Sequence, residues 1–235
     1  MRLIVDSDTL AFAAAAMAEG QDETQAIWNA VNSIQKLEAQ FNGLPMKFYL
    51  TGENNFRYSI YPEYKAYRRE LKRPEYLEAV KNYLVSDWNA ILSDGCEADD
   101  LCSIDQFQSN KMGEETLLIH VDKDLNMVPG RHWNPPLTRH GLIIKEEKEY
   151  VVSPMEAIKF FYTQMLMGDP TDGIKGVPGI GKVKAAQILD GLETEQELFE
   201  AVYDRYASEE EMLLNGQCLW VWRSFGGIWE FPKFE

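Results

Sequence analysis

The chain of 235 residues is predicted to adopt an α/β fold, with a mostly parallel central sheet flanked by helices. Short apolar, strand-like segments alternate with longer amphipathic ones, which is the order expected of a parallel sheet. Acidic residues directly follow several of the strand-like segments, and a glycine-rich run introduces a final section of helical pattern. The length fits one domain with its own core.

The first part of the chain supplies the sheet. Strands are expected at residues 2–5, 47–50, 89–92 and 116–121. Helices are expected at about 9–19, 24–41 and 75–87, and from about residue 97. The carboxyl ends of such strands meet at one edge of the sheet, where open parallel sheets bind their ligands.

The second part is predicted to be mostly helical. Residues 142–145 and 149–152 suggest a hairpin, and Ser153, Pro154 and Glu156 form a capping box with proline at the first helical position. A glycine-rich turn and a short helix follow, and the remaining chain has a helical pattern up to an aromatic tail. The tail tryptophans and phenylalanines are expected to pack on the body, with stacking on unpaired bases as the alternative.

Composition excludes several classes of protein. Apolar residues make up 45% of the chain, but no run approaches the roughly 20 that a membrane span requires. The first residues lack the pattern of a secretory signal, so we expect a cytoplasmic protein, in the host cytoplasm if a phage encodes it. The three cysteines lack CxxC spacing, and His120, His132 and His140 form no HxxxH pair, so zinc is not expected.

The net charge of −15 is unfavourable for nucleic-acid binding, yet the charges are unevenly distributed. Residues 57–73 contain six basic side chains and two acidic ones, which makes a local basic patch. Residues 190–211 contain nine acids and one arginine, as expected of helix faces turned to solvent. The overall charge therefore does not exclude DNA.

Acidic side chains recur at the predicted strand ends. They are Asp6, Glu97, Asp99, Asp100, Asp122 and Asp124. Gathered at one edge, these carboxylates would repel one another unless cations offset their charge. Two magnesium ions about 4 Å apart can activate water and stabilise the leaving oxygen in phosphoryl transfer.

A second cluster lies at residues 168–182. Asp169 and Asp172 are three residues apart and can face one ion, while the Gly-x-Pro-Gly-x-Gly turn lets main-chain amides approach phosphates without interference from a Cβ atom. Lys182 and Lys184 follow at the start of the next predicted helix. A purely structural turn is the alternative reading of the glycines.

Together these residues resemble the 5′ nucleases, a family that includes phage 5′-3′ exonucleases, flap endonucleases and the 5′-nuclease domain of bacterial DNA polymerase I. The resemblance covers roughly residues 2–190. The matching pieces are Val5-Asp6, Tyr64-Lys65-Ala66-Tyr67-Arg68, Glu97-Ala98-Asp99-Asp100, Asp122-Lys123-Asp124 and the segment 168–182, which looks like a helix-three-turn-helix.

The resemblance implies a PIN-like nuclease core at residues 1–152 with a short arch region at about 54–87. It implies a helical section at 153–235 with the helix-three-turn-helix at about 168–190. It also implies metal ligands at Asp6, Glu97, Asp99, Asp100, Asp122, Asp124, Asp169 and Asp172. Asp6, Asp100, Lys65 and Arg68 would be catalytic. DNA contacts would come from Arg57, Lys65, Arg68, Gly176, Val177, Gly179, Ile180, Gly181, Lys182 and Lys184.

The implied activity is magnesium-dependent hydrolysis of DNA near a 5′ flap, end or nick, leaving 5′-phosphate and 3′-hydroxyl ends. Mn²⁺ can substitute in such sites, and a potassium ion often binds the helix-three-turn-helix. RNA primers in RNA–DNA hybrids are further candidate substrates, and we expect a monomer. The sequence leaves open exonuclease or flap preference, threading of the 5′ end through an arch, and whether Glu53 replaces an acid that the family usually carries after the second strand.

Three other functions fit parts of the sequence. Asp6-Ser7-Asp8-Thr9 after a strand also resembles the first motif of haloacid-dehalogenase-type phosphatases, in which Asp6 would be the nucleophile and form a phosphoenzyme. A branched-DNA binding protein without turnover is the non-enzymatic alternative. An RNA-directed nuclease of related fold is a third reading, against which the predicted helix-three-turn-helix argues.

Overall fold

The computed structural model describes residues 1–139 and 142–234, and only the backbone of residues 69, 138 and 139. Its strands are β1 (Arg2–Asp6), β2 (Met46–Glu53), β3 (Ile91–Asp94), β4 (Thr116–Ile119), β5 (Gly130–Asn134), β6 (Leu137–Arg139), β7 (Leu142–Lys145), β8 (Lys148–Val152), β9 (Gly168–Asp169) and β10 (Ile174–Lys175). In the described part of the chain the main sheet has the order β3-β2-β1-β4-β5-β8. Its strands are parallel except for β8, which is antiparallel to β5.

The helices are α1 (Asp8–Ala16), α2 (Glu23–Gln40), α3 (Arg57–Ile60), α4 (Leu77–Trp88), α5 (Ala98–Met112), α6 (Pro154–Met167), α7 (Lys182–Ile188), α8 (Glu195–Tyr203) and α9 (Glu209–Leu219). Short 3-10 turns lie at Ala66–Glu70 and Asp124–Met127. The predicted fold class, a mostly parallel sheet flanked by helices, is confirmed. Among the described residues, no helix combines the length and apolar character needed to cross a bilayer.

Side chains alternate between two cores on opposite faces of the sheet. Leu3 and Val5 of β1 face a core built with α1, α2 and α4. Ile4, between them, faces the other core, which includes Leu101 of α5 and Phe161 of α6. This alternation follows from the two-residue period of a strand. The second core also contains residues of α7, α8 and α9, so the carboxyl-terminal helices share it with the sheet.

The predicted hairpin between residues 142–145 and 149–152 is wrong. Strand β7 pairs with β6, whereas β8 pairs with β5 along its whole length, from Gly130 opposite Val152 to Asn134 opposite Lys148. Joining the main sheet satisfies the main-chain groups of β8 and buries Val152, which a two-stranded hairpin would leave in solvent. His140 lies outside the described residues.

The predicted start of α6 is confirmed. The Ser153 hydroxyl accepts a hydrogen bond from the Glu156 amide at 3.2 Å, and the Glu156 carboxylate accepts one from the Ser153 amide at 2.8 Å. Helix α6 ends at Met167, and the segment that follows from Gly168 carries Asp169 and Asp172 back towards the sheet. The capping box fixes where α6 begins, and the acidic turn follows at the other end of the helix.

The aromatic tail packs on the body, although Phe225 and Phe234 have exposed side chains. Trp222 stacks on Phe56 at a ring distance of 4.9 Å, and Trp229 lies against the Cα of Gly216, where an added Cβ would meet its ring. Both tryptophans are buried, which confirms the packing prediction for them. Phe225, by contrast, is 72% exposed, because it lies in the turn that joins the two packed tryptophans.

Candidate active site

The predicted acids meet where the parallel strands end. Asp6 is the last residue of β1, and Asp122 follows the adjacent strand β4, whose Ile119 pairs with Val5. Glu97 is the residue before α5, and Asp99 lies in the first turn of that helix. We call Asp6, Glu97, Asp99 and Asp122 the first acidic group.

Burial and mutual repulsion shape the titration of the first acidic group. Burial raises the pKa of Asp6 well above its usual value, and the charges of Asp8, Asp122 and Glu97 raise it further. Burial likewise raises the pKa of Asp99, with added repulsion from Asp122 and Asp6. Glu97 behaves differently: burial would raise its pKa, but Lys65 and Arg57 lower it. This group concentrates negative charge that a bound cation would relieve.

A second acidic group joins the sheet to the glycine-rich turn. One carboxylate oxygen from each of Asp124, Asp169 and Asp172 lies within 4.8 Å of the others. Burial raises the pKa of Asp124 to about 6, with repulsion from Asp122 and opposition from Lys123. The Gln164 side chain of α6 donates to Asp124, which fixes that carboxylate from the helical side. Three oxygens at this spacing suit a hard divalent cation.

Lys65 and Arg68 lie beside the acids. The Lys65 ammonium lies 2.6 Å from Glu97 and 3.5 Å from Asp172, while Arg68 lies 3.2 Å from Asp172. The main chain of Lys65 is left-handed at φ 50° and its amide donates to the Asp172 carbonyl at 2.9 Å. These contacts hold two positively charged side chains, those of Lys65 and Arg68, at the junction between the acidic groups.

Tyr64 connects the two acidic groups, a role that the sequence interpretation did not assign. Its hydroxyl lies 2.8 Å from Glu97 and 3.0 Å from Asp172, and its ring is 2% exposed. A single hydroxyl proton can be donated to only one carboxylate at a time. Burial raises the pKa of Asp172, which favours a proton on this carboxyl group. Tyr64 can then donate from its hydroxyl to Glu97 while the hydroxyl oxygen accepts from Asp172. Its place before Lys65 in the Tyr-Lys-x-Tyr-Arg motif was the available signal.

Lys123, the middle residue of Asp-Lys-Asp, also contacts the second acidic group. Its ammonium lies 2.8 Å from Asp169 and 3.6 Å from Asp124. The side chain is about half exposed, so this contact contributes little to folding stability. It does place a further cation at the rim of the site.

Asp100 and Arg57 differ from their predicted roles. They form a bidentate ion pair at 2.7 and 2.9 Å, and Asp100 also accepts from the amides of Glu97 and Trp222, both at 2.9 Å. Arg57 further donates to the Cys218 and Trp220 carbonyls. Asp100 is 0% exposed and Arg57 is 3% exposed. The structure therefore uses this pair as a buried link to the carboxyl-terminal segment, rather than as an open metal ligand and a DNA contact.

Asp8, the first residue of α1, contacts β2 close to the position at which the sequence suggested Glu53 as a further acid of the site. The Asp8 carboxylate accepts from the Thr51 amide at 2.9 Å, and its amide donates to Asp6 at 3.2 Å. Glu53, at the last residue of β2, has an exposed side chain. The Asp-Ser-Asp spacing of residues 6–8, which also resembles the phosphatase motif, is the signal in the sequence for Asp8.

The glycine-rich turn is built around one close contact. Gly168 and Gly176 approach so closely that a Cβ on Gly176 would lie 2.2 Å from the Gly168 nitrogen. The Val177 amide donates to the Leu166 carbonyl at 2.8 Å and the Ile180 amide to the Val177 carbonyl at 3.1 Å. Ile180 is buried. Val177 and Ile180 thus serve the turn itself, which leaves Gly179, Gly181, Lys182 and Lys184 on its exposed side.

Comparison with known proteins supports the resemblance. The chain is 31% identical over 150 residues to a 5′-3′ exonuclease of Buchnera aphidicola subsp. Acyrthosiphon pisum, covering 59% of this chain and 49% of that protein. It is 27% identical over 164 residues to DNA polymerase I of Bacillus subtilis, covering 64% and 18%. It is 25% identical over 170 residues to flap endonuclease Xni of Shewanella baltica, covering 70% and 64%. The chain therefore spans less than two thirds of each of these relatives. No family model matches it.

Solved structures show the same fold. The bacteriophage T5 D15 protein, co-crystallised with metal ions, matches with a TM-score of 0.68 and 21% identity, covering 91% of this chain and 86% of that one. The catalytic core of Rad2 in complex with DNA matches with a TM-score of 0.54 and 16% identity, covering 91% and 71%. The resemblance predicted from the sequence is thus confirmed: the homologues of this chain are 5′-3′ exonucleases, flap endonucleases and DNA polymerase I, and its fold is that of the phage T5 5′-exonuclease.

Proposed function

We propose that this chain is a structure-specific 5′ nuclease that hydrolyses DNA phosphodiester bonds with two divalent metal ions. The observation that carries the proposal is the pair of acidic groups at the end of the parallel sheet, with Lys65 and Arg68 at their junction. The curated relatives named exonuclease and flap endonuclease support the same activity. The structure of the T5 D15 flap endonuclease with DNA and metal ions supports DNA as the substrate and metal ions as the cofactor in this proposal.

The donor set fits magnesium, because every side chain in the two acidic groups offers carboxylate oxygen, the ligand that hard cations prefer. Asp6, Glu97, Asp99 and Asp122 would hold one ion, and Asp124, Asp169 and Asp172 the other. Such ions activate water and offset charge on the leaving oxygen. Mn²⁺ is expected to substitute, and magnesium as the natural ion is part of the proposal.

The basic side chains of Lys65 and Arg68 would position the substrate. Lys65 and Arg68 form ion pairs with Glu97 and Asp172, and a phosphate entering the site would share these cations. Their positive charge would orient the scissile phosphate and stabilise charge that develops as water adds to phosphorus and the bond to the 3′ oxygen breaks. The products would be a 5′-phosphate and a 3′-hydroxyl.

The exposed side of the glycine-rich turn would hold the duplex. Gly179 and Gly181 present main chain to solvent, and Lys182 and Lys184 lie beside them. Contacts of this kind bind the phosphate backbone and carry no base specificity. A potassium ion at the turn, action in the cytoplasm and a monomeric state are further parts of the proposal.

Cleavage of a 5′-labelled flap duplex tests the proposal. We expect cutting with Mg²⁺, none with EDTA, and a loss of at least about a hundredfold in rate for Asp122→Ala. Asp190→Ala, an exposed acid outside the site, is the matched control and should cut normally. A labelled RNA primer on DNA and a blunt duplex define the substrate range. DNA left intact under every condition, with binding retained, would instead favour a non-catalytic binding protein; a phosphoenzyme on Asp6 would favour the phosphatase.

A further inference from the structure

Two buried histidines lie beside the loop that carries Asp122 and Asp124. His120 follows β4 and His132 lies in the adjacent strand β5, and they are 2% and 0% exposed. The His120 Nε2 and His132 Nδ1 atoms are 2.9 Å apart. Tyr150 of β8 stacks on His132 at a ring distance of 5.2 Å. Three adjacent strands thus contribute one packed polar cluster.

This cluster contacts the loop of residues 122–128, which carries Asp122 and Asp124, at three points. His120 Nδ1 lies 2.6 Å from the Asp122 carbonyl oxygen, and His132 Nε2 lies 2.8 Å from the Val128 carbonyl oxygen. Between them, the Tyr150 hydroxyl donates to the Asn126 side chain at 2.9 Å. The loop from 122 to 128 is therefore held at its start, middle and end.

The loop transmits this hold to both carboxylates. Asn126 donates from its side chain to the Lys123 carbonyl at 2.6 Å, and the Asp124 amide donates to the Asp122 carboxylate at 2.8 Å. Since Asp122 belongs to the first acidic group and Asp124 to the second, their relative position depends on the shape of this loop.

The direction of these hydrogen bonds follows from the acceptors. A carbonyl oxygen only accepts, so the protons lie on Nδ1 of His120 and on Nε2 of His132. The remaining contact between the rings would need a third proton, which burial opposes by lowering the pKa of His120 to about 3 and that of His132 to about 4. The hold on the loop needs only the first two protons.

The two rings do not form a metal site of their own. Their facing nitrogens point at each other, and their outer nitrogens are taken by main-chain oxygens. No nitrogen of either ring is left to coordinate a cation. The cluster acts on the acids rather than on a ligand.

We propose that His120, His132 and Tyr150 are positioning residues that hold Asp122 and Asp124 in the arrangement that binds metal. The proposal rests on the proposed function only in assigning metal to these two acids. Partners that orient metal ligands are typically worth about 10–100-fold in metal affinity. Here the orientation is exerted through the main chain of the ligand loop.

Mn²⁺ binding to the full chain without DNA, measured by electron paramagnetic resonance, tests this. His120→Leu and His132→Leu should raise the Mn²⁺ dissociation constant about tenfold or more. His120→Asn and His132→Gln should stay within about twofold of the parent, because Asn places an N–H near the Nδ1 position and Gln near the Nε2 position. Leucine variants that fold and bind Mn²⁺ as the parent does would overturn the proposal.

Hydrogen exchange of the loop amides in EDTA gives a second readout that does not depend on metal. The leucine variants should exchange the Asp124 amide at least about tenfold faster, with exchange in α5 unchanged. Should the leucine variants fail to fold, Tyr150→Phe removes only the hydroxyl and should still speed exchange at Asn126. Tyr203→Phe, an exposed tyrosine on α8, is its matched control.

These outcomes separate the two proposals. A parent chain that binds Mn²⁺ but never cuts DNA contradicts the nuclease and leaves the positioning role intact. A parent that cuts DNA, with leucine variants unchanged in Mn²⁺ affinity and in loop exchange, contradicts the positioning role alone.

Discussion

Arg57 and Asp100 make a buried ion pair whose partners are fully engaged. Each carboxylate oxygen of Asp100 and each terminal nitrogen of Arg57 has a close partner, which is the condition for such a pair to be tolerated in a protein interior. Removing one member leaves an uncompensated buried charge. The pair therefore constrains both the start of α5 and the segment after α9.

Arg57→Met is expected to lower the free energy of unfolding by about 3–5 kcal/mol, because the Asp100 charge remains buried without its partner. Urea denaturation followed by far-ultraviolet circular dichroism measures this. The double variant Arg57→Met/Asp100→Asn removes the charge and should recover much of the loss, since the amide oxygen still accepts from Trp222. A single variant as stable as the parent would contradict the structural role of the pair.

Individual residues were predictable where their position in the chain alone decides their place. Asp6 and Asp122 follow adjacent parallel strands, so topology brings them together. The Arg57–Asp100 pair was not predictable, because the same residues fit a ligand pattern and their engagement depends on Trp222, which lies 122 residues beyond Asp100. Tyr64 was missed because a tyrosine in a motif does not show which way its hydroxyl points.

At the scale of elements, the glycine-rich turn contains one glycine that packing requires and another that packing does not require. Gly176 is required by packing, since a Cβ there would overlap the main chain of Met167 and Gly168. Gly181 has no atom within 4 Å of the place a Cβ would take, and its φ of −101° suits any residue. The fold itself therefore does not require glycine at 181.

The two glycines give a matched pair of variants. Gly176→Ala should destabilise the chain strongly, on the order of 3 kcal/mol, because the overlap is with main chain that cannot move freely. Gly181→Ala should leave stability within about 0.5 kcal/mol and weaken duplex binding, if a phosphate approaches the main chain there. Thermal unfolding and fluorescence anisotropy with a labelled duplex measure the two effects. Unchanged DNA affinity in Gly181→Ala would remove residue 181 from the proposed interface.

Strand and helix patterns predicted most elements, because alternation and capping are local properties of the chain. The sheet order and the partner of β8 are not local. Residues 142–145 and 149–152 look like a hairpin because they are close in sequence, yet β8 gains more main-chain hydrogen bonds by joining β5. Tyr150 reaches the histidine cluster only through that pairing.

Across the whole molecule, the net charge of −15 and the acids gathered in the site make stability depend on pH. Asp124 has a folded-state pKa of about 6 against an ordinary value of 3.8. A carboxyl group with a raised folded-state pKa stabilises the fold below its unfolded pKa, and this contribution is lost as pH rises through the folded value. The pKa values of Glu97 and Asp169 are lowered, so their opposite contributions change at more acidic pH.

Between about pH 4 and pH 7 the metal-free parent should therefore lose on the order of 3 kcal/mol of stability relative to Asp124→Asn. The comparison with the variant is needed because His120 and His132, whose pKa values are lowered, make stability change in the opposite direction over this range. Urea denaturation in EDTA at a series of pH values measures this loss. Asp190→Asn should keep the pH dependence of the parent, and saturating Mg²⁺ should offset the loss that Asp124 causes. An Asp124→Asn variant whose stability changes with pH as that of the parent does would contradict the raised pKa of Asp124.

The contact between Trp222 and Asp100 also bears on how the chain matures as it is made. The amide that completes the Asp100 environment belongs to Trp222, which is synthesised 122 positions later. The Trp220 carbonyl that accepts from Arg57 is synthesised 163 positions after Arg57. Every strand of the main sheet precedes the segment after α9 in the chain, so the acidic edge of the sheet stays incompletely braced until that segment follows. A chain truncated at Leu219 would therefore carry every strand of the main sheet but lack the Trp220 carbonyl and the Trp222 amide that complete the contacts of Arg57 and Asp100.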